Sequence, residues 1–527
     1  MRSSRRRGGP RAVLALAAVA LLASGGASTP SAAGADADPG LARYVTPAGL
    51  PSGPARKDDP DPALTVLSER DKDDERHARL QVGDRRQPFL ATPRPGTLVA
   101  PMLVVPDRGS PWDLAEVAAV VPSVFERRDD GALLLRTSLL VTTGAELVVD
   151  SATVPTLLLA STPLGYVTVR AVYATLRFRG HPDAPLTVAS HDPITGRPDD
   201  DRRDGRAYVL ARGSEMDIRH ATLSDLGFAT TGHTSGVAWK GADGRRATGG
   251  AFDATFERNY FGAYTAEAQG LVIARSAFVD NVIYGFDPHS DTDATLVTDS
   301  VAARNGRHGF IFSQSCDGNV VEDSEAYLNG GTGFMIDDGI PPHGPERASD
   351  RNRLLRVSSH DNGDVGIVVE GGTGNVVEQA VVTNNEDGIW VRDGAAATDL
   401  VGNRVVATRR AAVRLDAGLG EILVADTEIV GAGSGLRLEG DQSEARFDHI
   451  EVRSSTGRAV EVRGSALPVA AWAAIDIDTG PGAPFWATWS LASALRTSIL
   501  GLWAAILALP IAARLLQRSR RWMVSHT

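Results

Sequence analysis

From Leu133 onward the apolar residues fall in runs of two or three, as in Leu133-Leu134-Leu135, Leu139-Leu140-Val141, Leu147-Val148-Val149 and Leu157-Leu158-Leu159, separated by Gly, Ser and Asp turns. Runs this short, punctuated in this way, predict brief β-strands. Further along, a glycine followed by an aliphatic or aromatic residue recurs at Gly262, Gly285, Gly309, Gly333, Gly366, Gly388 and Gly435, with Ala412 and Ala459 in phase. The steps are 23, 24, 24, 33, 22, 24, 23 and 24 residues. A repeat of this length with no helical stretch inside it has room for three strands. In the coil opening at Gly309 these are Phe310-Ile311-Phe312, Val320-Val321 and Glu325-Ala326-Tyr327, and in the coil at Gly366 they are Ile367-Val368-Val369, Val376-Val377 and Ala380-Val381-Val382. Asn305, Asn319, Asn329, Asn375, Asn384 and Asn385 mark the turns, where short amides bond to backbone and tolerate left-handed angles. Three strands per coil, stacked without helices, predict an all-β chain: a right-handed parallel β-helix whose coils share one continuous core. The 33-residue step carries an insertion at residues 340–346, placed to project from one face and wall a groove.

Composition adds compartment and boundaries. The chain has 527 residues, 43% hydrophobic and 23% charged, which fits a large buried core, and its one cysteine, Cys316, excludes a disulfide framework. Cys316 is expected to pack in the ladder or a turn. Residues 1–35 read as a secretory signal: Arg2, Arg5, Arg6, Arg7 and Arg11 precede the apolar run 12–23, and Ala33-Gly34-Ala35 is a small-x-small cleavage site. Arg5-Arg6-Arg7 also raises a twin-arginine reading, although no hydrophobic pair follows it. Removing those five arginines takes the formal charge from −11 to −16, which argues against nucleic acid as a partner and requires a locally basic groove for any anionic ligand. Residues 36–94 carry charge blocks such as Arg56-Lys57-Asp58-Asp59 and are expected to be an exposed linker with a short helix around 63–80. The β-helix is expected over 95–480. Within 481–527, the uncharged, mostly apolar run 497–513 precedes Arg514, Arg518, Arg520 and Arg521, and predicts a transmembrane helix with a basic cytoplasmic tail. An amphipathic helix capping the last coil is the alternative. The expectation is an exported, membrane-anchored monomer with the β-helix on the extracellular side.

Stacking the coils exposes the candidate chemistry. Coils lie about 4.8 Å apart, so residues at equal offsets from the repeat glycine form columns. Four past the glycine the column reads Ala266, His289, Ser313, Asp337, Glu370, Arg392; two past it reads Tyr264, Asp287, Ile311, Met335, Val368, Trp390; five past it reads Glu267, Ser290, Gln314, Asp338, Gly371, Asp393. A polar ridge therefore borders an apolar column in which Asp287 is the only charge. An isolated Asp-Pro-His triplet is most simply a turn, but a carboxylate among apolar neighbours demands a partner or a raised pKa. Residues 284–289 (Tyr-Gly-Phe-Asp-Pro-His) put a phenol, a carboxylate and an imidazole at one rung. His308, stacked over Tyr284, is either a further candidate or a turn-shaping residue.

This hexapeptide resembles the signature of the alginate (mannuronan) C-5 epimerases, and the likeness extends through Asp204-Gly205-Arg206-Ala207-Tyr208, Met216-Asp217-Ile218, Asn259-Tyr260-Phe261-Gly262-Ala263-Tyr264 and Asn305-Gly306-Arg307-His308-Gly309, covering about residues 144–438. It is closest to the secreted or periplasmic type without calcium-binding repeat modules. The resemblance implies a parallel β-helix enzyme that removes the C5 proton of β-D-mannuronate within a polymer and reprotonates the opposite face to give α-L-guluronate. It implies His289 as general base, Tyr284 as general acid or proton carrier, and Asp287 as the group that orients the pair or helps protonate the substrate carboxylate. Glu267, Ser290, Asp291, Gln314, Arg304 and Arg307 are the accompanying candidates for substrate binding. Two positions depart from the family pattern: Ser290 stands where Asp commonly follows the histidine, and Gln314 stands where an arginine is expected to neutralise the uronate. Arg304, Arg307, Arg356 and Arg392 are the arginines available to take its place. No dense Asp/Asn/Gly nonapeptide array is present, so no cofactor or obligatory calcium is indicated. A lyase on the same scaffold and a non-catalytic glycan-binding β-helix remain open beside the epimerase.

Overall fold

The computed structural model describes residues 53–59, 61–93, 101–230, 232–339, 348–453, 455–464, 467 and 469–478. The expected leader (1–35), the insertion at 340–346 and the expected anchor (481–527) lie outside the described residues. Among the described residues no helix is long and apolar enough to cross a membrane.

The three short strands of each repeat form as the periodicity predicts. The coil at Gly309 contributes Phe310–Ser313, Val320–Glu322 and Glu325–Tyr327, and the coil at Gly366 contributes Val365–Glu370, Val376–Glu378 and Val381–Thr383. Each strand pairs in parallel with its equivalent one coil away. The result is a right-handed parallel β-helix with three ladders. One ladder is a sheet of 15 strands, and the other two join into a second sheet where Ile422–Val430 and Ala445–Arg453 run through both. The first coil begins earlier than Leu133, since Met102–Val105 already pairs in parallel with Leu139–Val141.

The lumen is filled by inward-facing residues of all three ladders, including the stacked rings Phe256–Phe278 and Phe310–Phe334, with centroids 4.9 and 5.1 Å apart. Close stacking explains the repeat glycine. A Cβ at Gly285 would lie 2.5 Å from the Gly309 carbonyl oxygen and 2.9 Å from Asn305 Nδ2, so no larger side chain fits between the coils. The turn asparagines bond to backbone as expected, and Asn384 adopts the left-handed angle, but the others do more than shape turns. In the first turn the left-handed residues are Arg304, Leu328, Asp361 and Asn384, each just ahead of the ladder asparagine. Asn305, Asn329, Asn362 and Asn385 are instead buried, and their amides bond from coil to coil, as in Asn305 Nδ2 to Asn329 Oδ1 at 2.8 Å. A buried amide that both donates and accepts satisfies the turn of its own coil and the next, which a left-handed angle alone would not do.

The segment expected to be an exposed linker folds into helix α1 (Pro62–Leu80), capped by the Asp61 side chain, which accepts from Ala63 N–H at 2.7 Å. It is docked rather than exposed. Glu75, only 1% exposed, pairs with Arg212 at 2.7 Å, and Asp71 accepts from the Tyr166 and Tyr208 hydroxyls and pairs with the buried Arg170 at 3.1 Å. The charge block that suggested solvation is thus partly the helix's anchoring side. Ahead of α1, residues 53–59 run as a strap across the turns of the 15-stranded sheet: Ala55 N–H donates to Gly306 O at 2.6 Å, and Asp58 N–H to the Tyr260 hydroxyl at 3.2 Å. A Cβ at Gly330 would meet Gly53 O at 2.8 Å, so the strap follows a column of glycines, one per coil. On the outer face of the sheet lies a second apolar layer, including Tyr208, Phe228, Phe261, Tyr264, Tyr284, Ile311 and Met335, to which α1 contributes Leu64.

Candidate functional site

The hexapeptide sits on the outer face of the 15-stranded sheet. Phe286–His289 is a strand, not a turn, between Ala263–Ala266 and Phe310–Ser313. Its alternation sends Phe286 into the lumen and Asp287 outward. The register reproduces the expected columns: Tyr264 pairs with Asp287, Ala266 with His289, His289 with Ser313, Ser313 with Asp337 and Glu370 with Arg392.

Asp287 is 2% exposed and its Oδ1 has no hydrogen-bond partner. Loss of hydration raises its pKa to about 7; the positive charge of Lys57 opposes this and the negative charge of Asp337 reinforces it. Near neutrality the carboxyl is therefore poised between donor and acceptor. Tyr284, on the turn just before the strand and 5% exposed, stacks on His308 (5.4 Å between centroids, 14° between planes) and leans on Phe261 at 4.9 Å. Burial first, then the field of Asp287, holds its phenol well above the usual range, so it keeps its proton. His308 is buried, accepts from Thr332 N–H at 3.0 Å, and has its pKa lowered to about 3 by burial and by Arg307. An imidazole that stays neutral throughout the working range serves as a stacking partner for Tyr284 rather than as a base.

His289 is half-buried at the edge of the polar ridge, its Nδ1 2.7 Å from Ser290 Oγ, which in turn donates to Gln314 Oε1 at 3.4 Å. Ser290 thus supplies a hydroxyl partner to the imidazole where an aspartate was the family expectation. The Tyr264 ring lies 5.8 Å from that of His289, its phenol also held protonated by burial and by Asp287.

Of the substrate-binding candidates, Glu267 joins this group through its N–H, which donates to Ser290 O at 2.6 Å, and Asp291 through its N–H to Gln314 O at 3.0 Å, with its side chain exposed. The arginines separate cleanly. Arg304 is held by Asp280 in two 2.7 Å contacts, Arg356 by Asp323 at 2.7 Å and by Glu322, and Arg392 by Glu370 at 2.9 Å. Arg307 alone of the four makes no ion pair among the described residues; its guanidinium lies 5.9 Å from the Tyr284 ring centroid. Two residues the sequence did not single out also belong here. Tyr264 was visible in the column and closes the stretch 259–264 that resembles the family, but the resemblance implied no role for it there. Lys57, on the strap, places its ammonium 4.7 Å from the Tyr284 ring centroid and 5.5 Å from that of Phe261. Nothing in the periodicity of the coils points to a residue more than 200 positions upstream.

Asp337, Asp338 and Glu370 bring carboxylate oxygens within 4.8 Å of one another, the one acidic group among the described residues close enough to share a cation, and Glu370 is already paired with Arg392. A separate recess of about 550 Å³ is lined by Asp192, Asp199, Asp200, Asp201 and Asp204, a charge sign unsuited to a polyanion.

Fold and site together define a right-handed parallel β-helix that carries a Tyr/Asp/His cluster on one face. A family model described as the right handed beta helix region matches residues 235–405. The chain resembles mannuronan C5-epimerases: AlgG of Azotobacter vinelandii is 28% identical over 96 residues, 18% of each chain, and the mannuronan C5-epimerase of Pseudomonas fluorescens is 28% identical over 104 residues, 18% of this chain and 20% of that protein. The matched segment spans about one fifth of the length of these curated relatives. Among solved structures, a mutant of the periplasmic alginate epimerase AlgG aligns over 70% of this chain and 86% of its own, with a TM-score of 0.55 and 19% identity. The unmutated AlgG gives 0.51 and 18% over 72% and 84%. At this identity the likeness is one of fold.

Proposed function

We propose that the protein is an exported polysaccharide C5-epimerase that converts β-D-mannuronate to α-L-guluronate within an alginate-like polymer. The observation that carries this reading is Asp287: a buried, unpartnered carboxyl on the outer face of the sheet, flanked by Tyr284 and His289 in the arrangement that the resemblance to mannuronan C5-epimerases implies. The C5 proton lies α to a carboxylate and is weakly acidic, so removing it leaves charge that must be stabilised on the carboxylate oxygens. His289 takes the proton; the C5–H electron pair moves into the carboxyl group, and Asp287 in its protonated form donates to it. Tyr284 returns a proton to the opposite face of C5, and inversion follows without any bond of the chain breaking. The substrate is the partner, and no nucleic acid is involved. The leader directs export, a C-terminal anchor keeps the β-helix on the extracellular side, and the chain acts as a monomer.

NMR of polymannuronate in D2O tests this. The expected result is deuterium incorporation at C5 without chain cleavage, abolished in His289→Ala with the fold retained. Absorbance from an unsaturated uronate would identify a lyase instead, and unchanged exchange in the variant would remove His289 from the chemistry.

A further inference from the structure

Gln314 stands where the resemblance implies an arginine that neutralises the uronate, and three of the four candidate arginines are committed to carboxylates. Two cations lie against the Tyr284 ring: Lys57 Nζ at 4.7 Å and Arg307 Cζ at 5.9 Å from its centroid, with Arg307 Nε donating to His308 Nε2 at 3.1 Å. Neither makes an ion pair among the described residues. We propose that Lys57 and Arg307 form the seat for the carboxylate of the sugar whose C5 proton is removed, so that the strap, and not the β-helix alone, completes the site. The proposal rests on reading the site as one that acts on a uronate.

The carboxylate is bonded to C5 itself. A cation that neutralises it must therefore lie beside the groups that handle the C5 proton, and Lys57 lies over Tyr284 and within the field of Asp287 and Asp337. Lys57 is half of what a bidentate arginine would offer in geometry, since an ammonium is a point charge with three donors, and Arg307 supplies the planar fork beside it. The Lys57 side chain is exposed, so it is open to a ligand, and the charges nearest its ammonium are those of Asp287, Arg307 and Asp337. A cation that makes no ion pair among the described residues is available to a carboxylate that arrives with the substrate, and at an exposed position that attraction is screened by salt. The strap is held independently of the ligand, by Ala55 on Gly306, Asp58 on Tyr260 and the Asp58–Arg202 pair at 2.7 Å, so Lys57 is positioned in advance.

The test compares the full chain with Lys57→Gln and Lys57→Arg, reading hexamannuronate affinity by calorimetry across salt concentrations and C5 exchange in D2O. Lys57→Gln should weaken Kd about tenfold at low salt, the loss of one ligand-facing charge, with a flatter salt dependence and an unchanged Tm. Its exchange rate should fall about 100-fold, as for other groups that stabilise developing charge, and Lys57→Arg should restore most of both. Binding and exchange in Lys57→Gln equal to the parent would overturn the seat while leaving the epimerase reading intact; faster exchange would show that the strap occludes the site, and would also overturn it. A parent chain that binds hexamannuronate without exchange, and loses binding in Lys57→Gln, would keep the seat and remove the epimerase reading. A parent that does neither would remove both.

Discussion

Asp287 concentrates the chemistry of single residues in this chain. Its folded pKa of about 7 lies above the value of about 3.9 expected when unfolded, so between these pH values the folded state holds a proton that the unfolded state has released. Stability from this source is present below about pH 4 and is lost as pH rises through about 7. Asp287→Asn, which cannot ionise, should therefore gain stability relative to the parent as pH is raised from 4 to 8, by at most about 4 kcal/mol for a shift of this size. Denaturant midpoints across that range measure it, and a difference independent of pH would mean that the carboxyl titrates normally. The same group predicts an activity profile: exchange should decline above about pH 7 as Asp287 loses its proton, and Asp287→Asn should remove that limb from the profile. At this scale the chemistry was legible in the sequence, because a charge in an otherwise apolar column is visible once the coils are aligned. The roles of Ser290 and His308 were not, since both depend on which neighbour a side chain meets: Ser290 Oγ lies 2.7 Å from His289 Nδ1, and His308 is sealed beneath Arg307.

The coil is the element, and its cohesion rests on ladders of identical side chains. Asn305 shows the dependence: it donates to Phe278 O at 3.0 Å and Asn329 Oδ1 at 2.8 Å, and accepts from the Asn281 backbone N–H at 3.2 Å and from Asn281 Nδ2 at 2.8 Å. Asn305→Ala would strand buried polar groups on both adjoining coils, and should lower stability by about 2–4 kcal/mol. Calorimetric unfolding checks this, with the exposed Glu444→Ala as the control expected to change little. Strand positions and register were readable from sequence because a period-two pattern flips every side chain if it slips by one residue. The asparagine ladders were read as turns only, because the amide-to-amide contact exists between coils and has no sequence-local signature.

At the scale of the molecule, α1 and the strap change what the β-helix presents to a ligand. The docking of α1 is polar as well as apolar: Arg170, 1% exposed, contacts Asp71 at 3.1 Å, Thr168 Oγ1 at 3.0 Å and, more distantly, Glu75 at 3.8 Å. Arg170→Ala should leave Asp71 and Glu75 without their buried cation, a loss of about 3–5 kcal/mol to the docked state. Hydrogen exchange should then show α1 and the strap losing protection while the coils keep theirs. Equal loss along the whole chain would mean that α1 and the coils unfold as one unit. The sequence by itself determined the β-helix, its register and the rung that carries Tyr284, Asp287 and His289, because a repeat of about 24 residues makes neighbours out of residues at a known separation. Only the tertiary structure decided that a charged upstream segment lies over that rung and brings Lys57 to Tyr284. That contact obeys no period, and it depends on the shape of a surface that exists only after the coils have stacked.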